Sequence, residues 1–131
     1  MDVLSLIEKW DAEAGNDYGR TLRRVRLAIQ VVTTACERPD FRVWAGGVIS
    51  GNDLSLSSAE RMTAKMYMFS GHGTRNFSSI NHAAEHASAA WRNLLVGQEE
   101  KAASCASHAI RLVQWEKPDS IRPYYSALML A

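Results

Sequence analysis

Side chains able to bind a transition metal fall on two neighbouring segments: His82 and His86 in HAAEH, then Cys105 and His108 in SCASHA. Histidines four apart on a helix project to the same side. HAAEH also fits the HxxEH pattern of inverted zinc peptidases, in which two histidines bind zinc and a glutamate, here Glu85, acts as base. Imidazole and thiolate together suit zinc. The counter-arguments are physical. So short a pattern recurs by chance, and a catalytic zinc needs a third protein ligand and a shaped cleft. A helical wheel sets His82 and His86 opposite the Ile80–Ala84–Trp91 stripe, toward solvent, whereas Cys105 faces the core. The expectation is therefore surface histidines near a buried thiol, with no metal and no cofactor. His82, His86, Cys105 and His108 stand as the candidate ligands against which that expectation is tested.

A second cluster is basic. Arg20, Arg23, Arg24 and Arg26 crowd GRTLRRVR at the start of a helical pattern, where positive charge opposes the helix dipole and favours an external acid. Such a helix could grip phosphates. Yet Lys and Arg total 15 against 14 acids, a net charge of +1, and no aromatic platform accompanies the arginines. An acidic protein surface is the favoured partner, and a nucleic acid the alternative. Tyr124 and Tyr125 join the arginines as candidate partner-binding residues, because Arg and Tyr are enriched at interfaces. Gly71-His72-Gly73 lacks the spacing and lysine of a phosphate loop. No Ser/His/Asp or paired-carboxylate set is assembled. The sequence thus predicts a non-enzymatic protein.

The elements that must carry these residues read as helices throughout. Asp2 can cap a first helix with Val3, Leu6, Ile7 and Trp10 on one face, ended by Gly15-Asn16. A second starts near Asp17 with the stripe Leu22, Val25, Ile29, Val32 and Cys36, closed by Pro39. PDFRVWAGGVISGND could be strand or glycine-weakened helix; helix is preferred, since no second strand is available to pair with it. Ser57 and Glu60 read as a capping box opening a helix with Ala59, Met62, Met66 and Phe69 inward. From about Ser79, Ile80, Ala84, Ala87, Trp91, Leu94 and Leu95 share a face up to Gly97. Glu99 and Glu100 then open a helix that turns Ala102, Cys105, Ala106, Ala109, Leu112 and Val113 inward, stopped by Pro118. Pro123 opens a last short helix.

The fold expected is all-α: one domain over 1–131, a single compact bundle of five or six helices containing an alanine-rich helical hairpin. Val25, Ile29, Val32, Trp91, Leu94, Leu112 and Val113 are its predicted core. Apolar residues at 47% and charged ones at 22% are the balance of a globular chain. Cys36 and Cys105 are read as free thiols. The acidic start MDVLSLIEKWD is unlike a signal peptide, and no run approaches the ~20 apolar residues of a membrane span. A cytoplasmic location without membrane contact is the expectation.

Arg26–Cys36 (RLAIQVVTTAC), Pro39–Asp53 (PDFRVWAGGVISGND), His82–Trp91 (HAAEHASAAW) and Lys101–Ile110 (KAASCASHAI) follow one another in an order that resembles alanine-rich helical immunity proteins of bacterial polymorphic toxin systems. In that family a tryptophan-bearing segment with a glycine-plus-acid turn precedes alanine-rich helices. The resemblance implies a protein-binding inhibitor that neutralises a partner protein. A phage or mobile-element inhibitor of host defence, such as an anti-CRISPR, would carry the same features. RMTAKMYMF and the GHG loop depart from the family pattern.

Overall fold

The computed structural model describes residues 17–70 and 79–130. Its helices are α1 (Asp17–Ala35), α2 (Pro39–Ser50), α3 (Leu56–Phe69), α4 (Ser79–Leu95), α5 (Glu99–Glu116) and α6 (Tyr125–Leu130), with a 3-10 turn over Pro118–Tyr124. There is no strand among the described residues. The helix expected around Trp10 and the Gly71–Gly73 loop lie outside them.

α1 follows the apolar stripe read from the sequence: Val25, Leu27, Ala28, Ile29, Val31 and Val32 are fully buried. Pro39 both closes this stretch and opens the next helix, standing in the first turn of α2 where its missing N–H costs nothing. Arg42 reaches back from α2 and donates to the Thr33 carbonyl at 2.9 Å, satisfying a terminal acceptor of α1. The ambiguous Pro39–Ser50 segment is thus a helix. It ends at Gly51, whose φ of 80° is the left-handed conformation glycine adopts without strain. The chain then folds back on itself, with the Asn52 and Asp53 amides both donating to the Gly47 carbonyl. A Cβ on Gly47 would meet Asp53 Cβ at 3.1 Å, so any larger residue there would push Asp53 back by a few tenths of an ångström.

The capping box expected at Ser57 and Glu60 is not the one used. Ser55 is the N-cap of α3, accepting from the Ser58 amide, and Ser57 falls inside the first turn. Asp53 decides the register: its carboxylate accepts the hydroxyls of Ser55 and Ser58, which fixes the start two residues earlier. Ala59, Met62 and Met66 face inward as expected, but Phe69 is exposed at the last residue of α3, with the Arg38 guanidinium 3.9 Å above its ring.

α1, α4 and α5 pack against one another at the centre, and α4 also covers α3. α4 is buried on nearly all sides: Ala83, Ala84, Ala87, Ser88, Ala89, Ala90, Trp91, Asn93 and Leu94 are all buried. Small side chains permit this, because they let axes approach on several faces at once. Gly97, at φ 80°, turns the chain into α5. Of the predicted core, Leu112 alone is half-buried, at the edge of the cluster; the other residues are inside it. Pro123 lies within the 3-10 turn rather than at the head of α6, which begins at Tyr125. No described helix is long and apolar enough to cross a membrane.

Candidate functional site

The α4–α5 hairpin brings three of the candidate ligands together. His82 and His86, one turn apart on α4, have ring centroids 4.8 Å apart, and His108 of α5 meets them at 6.3 and 4.3 Å. Their coordinating atoms all lie within 4.8 Å of one another. His82 and His86 are half-buried rather than turned to open solvent, and His108 is exposed. The wheel argument missed this because it assumed one buried stripe, whereas α4 has neighbours on several sides and its histidine side faces α5.

Glu85 completes the surroundings. Its carboxylate lies 3.9 Å from His82 Nδ1, with 14% of the Glu85 side chain exposed. The Ser70 hydroxyl donates to the same carboxylate at 2.7 Å, linking the end of α3 to the cluster. Cys105 stands apart: the Asn93 side chain approaches its sulfur at 3.9 Å, and the coordinating group does not include it. Burial pushes the Cys105 thiol above its ordinary range, with the Glu85 charge adding to that and Arg92 and Asn93 opposing it. Cys36 is buried, and desolvation raises its thiol too. Both cysteines are free.

The basic helix is less uniform than its sequence suggested. Arg20 is exposed, whereas Arg23, Arg24 and Arg26 are half-buried. The Arg26 guanidinium lies 5.6 Å from the centre of the buried Trp91 ring, a role inside the fold. Arg24 instead lines a groove of about 270 Å³ where α1, α5 and α6 meet, with Ser107, Ile110, Arg111 and Leu128. Residues of α1, α5 and α6 thus line one groove. Tyr125 is exposed; Tyr124 is half-buried against the core, and that burial raises its phenol above the ordinary range.

The sequence reads Trp10, Trp44, Trp91 and Trp115 as core or half-buried anchors, with an exposed one a candidate binding hot spot; Trp10 lies outside the described residues. Trp44 and Trp91 are buried, while Trp115 is 82% exposed near the end of α5, four residues beyond Arg111 and hence one turn along the same side. Met129 of α6 is 88% exposed. Neither had a signal in the sequence, because exposure here depends on how the last helices seat rather than on periodicity. A larger groove of about 610 Å³ runs between α2 and α3, lined by Val43, Trp44, Gly47, Asp53, Met62 and Lys65 among others. No family model matches the chain, and neither a curated protein nor a solved structure matches it at significance.

Proposed function

We propose that this protein is a non-enzymatic factor that binds a partner protein and neutralises it, in the manner of an immunity protein or an inhibitor of host defence. The observation that carries this reading is the surface built by α1, α5 and α6. Arg24 and Arg111 line its groove with Leu128, Arg20 and Trp115 lie one turn along α1 and α5 from them, and Tyr125 and Met129 are exposed on α6. Large apolar side chains fixed in solvent next to arginines are the makings of an interface: the apolar groups gain by burial, and the arginines select an acidic partner. The resemblance of the segment order to that of alanine-rich immunity proteins points the same way.

The test is affinity capture from the native cell, run in parallel with the wild-type chain, Trp115→Ala and Arg111→Ala. One protein is expected to be held in stoichiometric amount by the wild-type chain and lost from the variants, whose circular dichroism is unchanged. Capture that is identical across all of them removes this surface from the function. Retention of nucleic acid instead, weakening steeply with salt, would replace the proposal with a nucleic-acid-binding role for the arginine helix.

A further inference from the structure

We infer that His82, His86 and His108 form a binding site for a zinc-class divalent transition ion that ties α4 to α5. Their convergence is a matter of helix geometry. An i, i+4 pair projects two imidazoles from one side of α4, and the antiparallel return of α5 adds a third, with all coordinating atoms inside 4.8 Å. Tetrahedral zinc with nitrogens at about 2.0–2.1 Å places neighbouring ligands roughly 3.3 Å apart. Closing the widest pair takes about 1.5 Å, within reach of side-chain torsions on fixed helices.

Two further features suit an ion. The first is an outer carboxylate. Metal-bound histidines commonly direct their second ring nitrogen to a carboxylate, which sets the tautomer and raises ligand basicity. The Glu85 carboxylate, held by the Ser70 hydroxyl, lies 3.9 Å from His82 Nδ1, longer than a hydrogen bond; closing that gap would leave Nε2 as the nitrogen for the metal. One negative charge next to neutral imidazoles partly offsets the dication. The second is access: His108 is exposed, so an ion can enter from that side. The thiol is not required, because Cys105 lies outside the coordinating group. This donor set differs from the four-residue set suggested by the sequence: nitrogen-only, with glutamate as a positioning residue rather than a ligand.

The experiment uses tag-free full-length protein stripped with chelator, titrated with Zn2+ alone and followed by calorimetry and thermal melting. One Zn2+ should bind per chain. At free zinc about a hundredfold above Kd, Tm should rise by about 10 °C. His108→Ala, at an exposed position, should keep the apo melt and abolish both binding and the rise. Glu85→Gln should bind with an affinity about 10–100-fold lower. Cys105→Ser should behave as wild type, and Co2+ loading should give a tetrahedral visible spectrum without thiolate charge transfer. Absence of stoichiometric Zn2+ binding, or a rise that survives in His108→Ala, overturns the site. Loss of binding in Cys105→Ser overturns the nitrogen-only donor set.

Discussion

α4 and α5 meet through alanines, while α2 and α3 turn large side chains toward the core. In the hairpin Ala83, Ala84, Ala87, Ala90, Ala102, Ala106 and Ala109 are fully buried. At the α2–α3 corner Phe41, Trp44, Met62 and Met66 are buried beside the smaller Ala45, Val48, Ser58 and Ala59, with the Phe41 and Trp44 rings 5.7 Å apart and tilted by 45°. The hairpin closes tightly enough to bring imidazoles from both helices into contact. The corner, built from bulkier pieces, leaves a groove of about 610 Å³ beside Trp44 and Met62. Small residues therefore set a precise distance between helices, and large ones fill volume without fixing every contact. The metal-capable cluster sits on the precise side.

The largest effect is expected at the corner. Phe41→Ala removes a fully buried ring, and about 3–5 kcal/mol should be lost in urea unfolding. A loss much smaller than that would show that the adjoining groove collapses to refill the space. The hairpin should respond to the opposite change. Ala87→Leu adds atoms where α4 has no free side, and a loss of about 1–3 kcal/mol is expected. A neutral Ala87→Leu would break the comparison, because it would mean the hairpin carries slack.

A smaller, pH-dependent effect belongs to the corner. The Ser58 hydroxyl, and after it Ser55, hold the Asp53 carboxyl below its ordinary range. Burial opposes the same shift at Asp40, but the Arg38 guanidinium and the Phe41 amide outweigh it. A carboxyl with a depressed folded pKa contributes stability that is complete above its unfolded value, near about 4, and is lost as pH falls through the folded value. The urea midpoint should therefore decline on acidification from about pH 5 to pH 3, and Asp53→Asn should make that decline shallower. An identical decline in the variant would assign the acid sensitivity elsewhere.

What could be read from the sequence follows the same division. α1 was legible because Val25, Ile29 and Val32 repeat with helical spacing and α1 buries that stripe. Pro39–Ser50 was legible as a helix by exclusion, through the missing strand partner. The cap of α3 was not, because Ser55 and Ser57 both suit an N-cap and the choice rests on Asp53 receiving two hydroxyls. The histidines were legible as a group but misdirected. A wheel assigns one inside to a helix, and the nearly all-round burial of α4 gives it several. Cys105 was grouped with them by residue type, yet its position beside Asn93 takes it out of the cluster. The exposure of Trp115 and Met129 depends on the seating of the 3-10 turn and α6, for which no sequence period exists.

The alanine lining of the hairpin also bears on what each region loses in freedom when the chain folds. Alanine has no rotamers to freeze, so α4 and α5 come together with backbone ordering as the only conformational cost at those positions. Met62 and Met66 at the corner must each give up several torsions, and that entropic penalty grows in proportion to temperature. On warming, the side chains of α3 should regain motion before those of the hairpin do. The imidazole cluster would then keep its α4–α5 geometry while its link to α3, the Ser70–Glu85 hydrogen bond, loosens first.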